Sequence, residues 1–400
     1  KVRVAKYALD EEQTKPYFQM ENVRQGVFDL TTKLFGLQYE KLEGIPTYHA
    51  DVEGFKVMDA DGSLIGVILT DYFPRSTKRG GAWMNNFVNQ EIVNGVEIRP
   101  VIVNVGNFAK PVDGKPSLMT LDQVETLFHE YGHALHGLLS QCTYKSVAGT
   151  SVARDFVELP SQIMENWAFQ PEVLATYAFH YETGEVIPAD LVAKIEAAGT
   201  FNQGFMTTEL AAASILDLKW HMLESVEGVD PETFEAQACK EMGLIDEIVP
   251  RYRSTYFAHI FSGGYSAGYY SYLWAEVLDK DAFAAFRESG DVFNREIAAK
   301  FRKEILSRGG EDEGMKLYTA FRGAEPDKTA MLKGRGLWKE PTEGEEGEES
   351  YKPDVEEVRA IGEAVFQIIL NAINDPETLK NLFSVDNFKE SLKSSVEDLK

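Results

Sequence analysis

The chain reads as a mainly α-helical protein with a small β-sheet next to one motif-bearing helix. Three observations carry this expectation. From Leu121 to about Leu337 apolar residues recur almost continuously at helical spacing. Before that stretch, runs with β-type pattern alternate with turn residues. At the junction lies Thr126-Leu-Phe-His129-Glu130-Tyr-Gly-His133-Ala-Leu-His136, which contains His-Glu-x-x-His.

In chain order, residues 10–35 read as helix. Asp10 is placed to cap it, and Val23, Val27, Leu30, Leu34 and Phe35 form its apolar stripe. Phe55–Met58, the turn Asp59–Ser63 and Leu64–Leu69 read as a hairpin, and Pro100–Val105 as a further strand. Three or four strands thus precede the motif helix. Thr120 is the expected cap of that helix, and Gly137 falls near its end. Further helices are expected around 191–227, 232–242, 266–287 and 292–308, with Gly309-Gly310 and Gly334 as punctuation. Residues 339–352 are acidic and of low complexity, the composition of a disordered linker. Beyond them, 354–374 and 386–399 read as helices of a C-terminal appendage covering 353–400.

Of the 400 residues 44% are hydrophobic and 26% charged, enough for a sizeable core. A net charge of -24 argues against nucleic acid and anionic membranes as partners, because both repel it. Two cysteines, Cys142 and Cys239, are too few for a disulfide framework. No apolar run approaches the ~20 residues that span a bilayer. The chain starts at Lys1, without an initiator Met or a signal-peptide pattern, and reads as a fragment or a processed product.

His129 and His133 lie four apart, hence on one helix face about a turn apart. Their ring nitrogens can aim at one point, where a divalent zinc ion fits. Glu130 can reach a water on that ion as general base. A catalytic zinc takes three protein ligands and keeps a position open. A metzincin continuation is excluded, since His136 and Leu139 stand where its glycine and histidine belong. The alternative third ligand is a glutamate from the following helix, where Glu158 and Glu165 both qualify. They are seven apart and share a face, and Pro160 places Glu158 at the helix start. His136 reads as a buried or supporting histidine. The stretch 256–274 is dense in hydrogen-bond donors: Tyr256, His259, Tyr265, Tyr269, Tyr270 and Tyr272. Most tyrosines at such spacing are core aromatics. Ser262-Gly263-Gly264, however, makes a pliable loop before Tyr265, suited to a moving substrate.

These stretches resemble the thimet oligopeptidase family of zinc metallopeptidases, in its bacterial peptidyl-dipeptidase branch. The resemblance rests on His129–His136, Gly149–Gln162 and Phe257–Trp274, with Gly80–Met84, Pro100–Asn107 and Lys110–Gly114. It covers residues 1 to about 337, the family's C-terminal catalytic half. It implies a zincin-type fold with a catalytic domain over 1–338, one Zn2+ per chain and a ligand set of His129, His133 and Glu158. Ser161, Gln162 and Glu165 then support the site. It also implies Glu130 as catalytic base, with His259, Tyr265 and Tyr272 binding the substrate carbonyl and oxyanion and Tyr269 a weaker candidate. The step from His259 to Tyr265 fits the peptidyl-dipeptidase branch better than thimet oligopeptidase itself. The expected substrates are short unstructured peptides, cut in a deep channel by a monomer expected in the cytoplasm, with the periplasm as the alternative. C-terminal dipeptide release is the expected activity, with endo-acting cleavage second. In the family a further N-terminal half forms the opposite channel wall, so this stretch alone is expected to turn over slowly. A peptide-binding module with a merely stabilising zinc is the competing reading, and the intact Glu130 speaks against it.

Overall fold

The computed structural model describes residues 2–245 and 247–338. The expected linker and appendage, 339–352 and 353–400, lie outside the described residues. The described chain is mainly helical with a small mixed sheet. It divides into two compact units: residues up to Phe201 with Ala275–Met331, and Asn202–Trp274 with the residues from Leu332 on.

In the first unit, five strands pair in the order β1-β2-β3-β7-β4. These are β1 Gln38–Leu42, β2 Glu53–Met58, β3 Leu64–Asp71, β4 Trp83–Val88 and β7 Val101–Val105, while β5 Glu91–Val93 and β6 Val96–Ile98 form a separate hairpin. The β2–β3 hairpin and β7 stand where the sequence places them. Strands β1, β4, β5 and β6 exceed the three or four expected. Among them β1 and β4 are edge strands, and β4 carries Asn85 and Asn86, residues with little β-preference. Only the β3–β7 pair is parallel. Buried Phe55, Val57, Ile68 and Ile102 share one face of these inner strands.

The helix expected over 10–35 is two pieces. Asp10 does cap its start, accepting from Glu12 N at 3.1 Å, but the helix gives way to a 3-10 turn at Lys15–Tyr17 and resumes as Met20–Phe35. Pro16 lacks an N–H, and the break is fixed from outside: Met20 N donates to Ser117 O and Met119 N to Phe18 O. The stretch expected as helix over 191–227 is also interrupted, into Ala189–Ala198 and Gln203–His221. Asn202 adopts φ +63° there, at the boundary between the two units. The helix expected over 292–308 is Arg295–Phe301 followed by a π-type turn, Arg302–Leu306.

The second unit is built on helices Gln203–His221 and Pro231–Glu241 and on the segment that runs to Trp274. Its core gathers Ala212, Ile215, Leu216 and Trp220 against Met242, Phe257, Ile260 and Tyr269. Helix Ser271–Glu288 starts in this unit, and its residues from Ala275 on belong to the first. Among the described residues no helix is long and apolar enough to cross a membrane.

Candidate active site

The motif helix runs from Leu121 to Leu138. Thr120 and Gln123 close its first turn reciprocally: Gln123 N donates to Thr120 Oγ1 at 3.3 Å and Thr120 N to Gln123 Oε1 at 3.0 Å. Val124, Leu127, Phe128, Tyr131, Leu135 and Leu138 form its buried stripe. His129 and His133 lie on a half-buried face, their ring centroids 5.0 Å apart and nearly perpendicular. The sheet holds the helix at its centre, where buried Asn104 donates from Nδ2 to Glu130 O at 2.7 Å. Tyr72 OH donates in turn to Asn104 Oδ1 at 2.9 Å.

Glu158 stands immediately before helix Leu159–Ala168, whose first turn contains Pro160. The two helices meet at Gly132, where a Cβ would lie 2.1 Å from Pro160 O, so any larger residue would force them apart. That approach brings Glu158 Oε2 to 3.2 Å from His129 Nε2 and to 3.2 Å from His133 Nε2. Ser161 Oγ donates to the same oxygen at 2.8 Å. Two imidazole nitrogens and one carboxylate oxygen therefore converge, all within 4.8 Å of one another, and could hold a metal ion. Ligands at zinc distance in a tetrahedron stand about 3.3 Å apart, so the donor set and its spacing fit that ion.

Charge settles on these groups accordingly. Burial works against protonation of His129, but its hydrogen bonds to Glu158 and Glu165 outweigh that and hold its pKa well above the usual value. Burial likewise opposes ionisation of Glu158, and the charges and hydrogen bonds of His133 and His129 overcome it, keeping the carboxyl well below its usual range. Glu165, the other candidate, lies on the far side of the ring: its Oε1 is 2.6 Å from His129 Nδ1. The two glutamates thus divide the imidazole between them, and Glu165 fixes the tautomer that presents Nε2.

Glu130 is buried, and its Oε2 has no hydrogen-bond partner among the described residues. Burial pushes its carboxyl upward, partly countered by the imidazoles of His129 and His133. An unpartnered buried carboxylate oxygen beside a metal-binding group is what a proton acceptor for water needs. His136 is fully buried, outside the ligand cluster, with its pKa pushed down to about 3 by burial and then by the nearby His133 charge. Cys142 is buried against backbone carbonyls, and burial raises its thiol.

His259, Tyr265 and Tyr272 belong to the second unit, where they form one aromatic cluster. Tyr265 stacks on Tyr272 at 5.1 Å between centroids, and His259 lies 6.2 Å from Tyr265 and 4.8 Å from Tyr252. All three are half-buried, whereas Tyr269 is a core residue at 3% exposure. Sequence reasoning missed Asn104 and Tyr72, and also the network behind Glu165's helix. In that network Lys280 Nζ donates to Asn166 Oδ1 at 2.8 Å, and Asn166 Nδ2 to buried Asp279 Oδ1 at 2.8 Å. No local pattern signals partners more than 100 residues apart.

The model of Peptidase family M3 matches residues 1–337. The chain belongs to peptidase family M3. Over 339 residues it is 49% identical to the dipeptidyl carboxypeptidase of Salmonella typhimurium and 45% identical to that of Escherichia coli, in each case covering 84% of this chain and 49% of the relative. It is 40% identical over 338 residues to oligopeptidase A of Escherichia coli, covering 83% of this chain and 49% of that one. The chain thus spans about half the length of the curated relatives it matches. Within the M3 family its likeness is to the dipeptidyl carboxypeptidase members, as the sequence motifs lead one to expect, and also to oligopeptidase A.

Proposed function

We propose that this chain is the zinc-binding catalytic part of a peptidase that releases dipeptides from the C-termini of short unstructured peptides. The observation that carries the reading is the convergence of His129, His133 and Glu158 beside a buried Glu130 whose Oε2 has no partner among the described residues. His129, His133 and Glu158 hold the ion, and Glu165 orients His129. A zinc ion held there would supply a more acidic water and polarisation of the scissile carbonyl. Glu130 takes a proton from the attacking water and gives it to the leaving amine as the C–N bond breaks. His259, Tyr265 and Tyr272 donate hydrogen bonds to the substrate carbonyl and to the oxyanion it becomes. We read the fold as zincin-type, with the sheet flanking the motif helix, and 1–338 as its catalytic domain. The half-length match to relatives called dipeptidyl carboxypeptidase supports the dipeptide product. The match to oligopeptidase A supports endo-acting cleavage as the second reading.

The test is mass spectrometry of one unstructured peptide, free at its C-terminus, incubated with the zinc-loaded chain. Successive losses of two C-terminal residues are expected. Internal cuts favour the second reading. An untouched peptide, with zinc confirmed at one per chain, removes peptidase activity from this stretch alone.

A further inference from the structure

Two buried carboxylates of the second unit take no part in the chemistry proposed above. Asp217, in helix Gln203–His221, is fully buried, and its two oxygens accept from two different backbone amides. Oδ1 takes Ala267 N at 2.9 Å and Oδ2 takes Tyr269 N at 2.8 Å. Its third partner is His221, whose Nδ1 lies 2.8 Å from Oδ1. Glu235, in helix Pro231–Glu241, is 5% exposed and accepts from Ser254 N at 2.6 Å and from Arg253 Nη1 at 2.7 Å. Trp220 Nε1 adds a bond to Ser254 Oγ at 2.9 Å. His259 and Tyr265 lie between these anchored points, and Tyr272 follows just after.

The backbone between the anchors explains the need for them. Ala267 adopts φ +51°, a region that residues with a side chain seldom occupy, so the turn does not hold its shape by local preference. Gly263 is packed so closely that a Cβ would lie 2.8 Å from His259 Cα, and Gly264 sits at φ +85°. The two glycines themselves contribute no side chain, and the local side-chain bonds there come from their neighbours, Ser262 Oγ to Ala258 O at 3.2 Å and Ser266 Oγ to Ile260 O at 2.5 Å. A buried carboxylate in turn needs hydrogen-bond donors, and these backbone amides supply them.

We propose that Asp217 and Glu235 are positioning residues, two buried carboxylates that pin both ends of the segment carrying His259 and Tyr265 and leave Gly263-Gly264 as its pliable middle. The functional part of this proposal rests on the reading that these aromatic side chains serve the substrate, and the clamp itself is testable without it.

The experiment is amide hydrogen exchange on the full zinc-loaded chain, followed by peptide kinetics. In the unsubstituted protein Ala267 and Tyr269 should exchange at least tenfold more slowly than Gly264, although Ala267 is exposed. Equal rates overturn the clamp, and this arm needs no variant to fold. Asp217→Asn should speed exchange at both amides at least tenfold, and Glu235→Gln should do so at Ser254; rates within twofold of the parent overturn it. In kinetics, Asp217→Asn should lower kcat at least tenfold with KM within threefold and zinc still at one per chain. Adding Ala267→Gly should restore part of that kcat, because glycine takes the positive φ without help; a general loss of stability would not be repaired this way. An unchanged kcat in Asp217→Asn, where Tyr265→Phe does lower it, overturns the positioning role. If Tyr265→Phe is itself silent, the reading of the aromatic cluster fails, and the exchange rates alone decide the clamp.

Discussion

The two units hold the side chains proposed to act on the substrate by opposite means. In the first, three of the four key groups ride on or beside one capped helix. Helical spacing alone puts His129 and His133 on one face, and the neighbouring helix packs against Gly132 closely enough to deliver Glu158. In the second, His259 and Tyr265 sit on an irregular segment whose shape comes from carboxylates far away in sequence, Asp217 and Glu235. A helix-borne site is rigid by construction, whereas under the proposed clamp the segment 254–269 is fixed at its ends and left pliable at Gly263-Gly264. That division suits a reaction in which the metal must stay in place while the substrate enters and leaves.

The sharpest way to break this comparison is at the metal. Glu158→Ala should abolish stoichiometric zinc and all turnover, whereas Glu165→Ala should keep zinc at one per chain but weaken its binding by about tenfold to a hundredfold. Metal analysis after dialysis against a weak chelator checks both. Retained zinc in Glu158→Ala together with lost zinc in Glu165→Ala would exchange the two assignments.

Glu130→Gln comes next. It removes the proton acceptor while leaving the ligands untouched, so kcat should fall by about a thousandfold with unchanged zinc content. Residual activity near the parental level would mean that another group takes the proton. Tyr265→Phe, in the second unit, should cost less, about a hundredfold in kcat, because on the proposed reading other donors share the oxyanion. Should it cost as much as Glu130→Gln, the aromatic segment is no pliable accessory but part of the rigid machinery.

The same division sets what the sequence reveals. A helix period is local, so the ligand pair, the Thr120 cap and the β2–β3 hairpin are all readable from neighbouring residues. Glu158 and Glu165 are not separable that way, because, seven residues apart at and inside the start of one helix, they point to the same side. Only the tertiary packing shows that they serve opposite nitrogens of His129. The breaks at Phe18 and Asn202 were hidden for a similar reason. The first is imposed by pairing with residues 117–119, and the second coincides with the boundary between units. In the second unit the helices Gln203–His221 and Pro231–Glu241 were legible by their period and Gly263-Gly264 as a turn, but not the anchoring of the segment 254–269. The carboxylates that shape it are about fifty and nineteen residues from their partners and leave no periodic trace.

The smallest effect tests whether the first unit is as rigid as this account requires. Thr120→Ala removes the acceptor for Gln123 N and opens the capping box, a loss of about 1 kcal/mol in stability. Urea unfolding of the zinc-free chain would show it as a lower midpoint with an unchanged slope. The ligands should not notice, because the helix is also fixed at its centre by Asn104 on Glu130 O and by the contact of Gly132 with Pro160. Zinc affinity and kcat should therefore stay within about twofold of the parent, a difference of ~0.4 kcal/mol. A larger fall would place the control of ligand geometry at the helix terminus, and the contrast between a helix-built and a clamp-built half would then lose its physical basis.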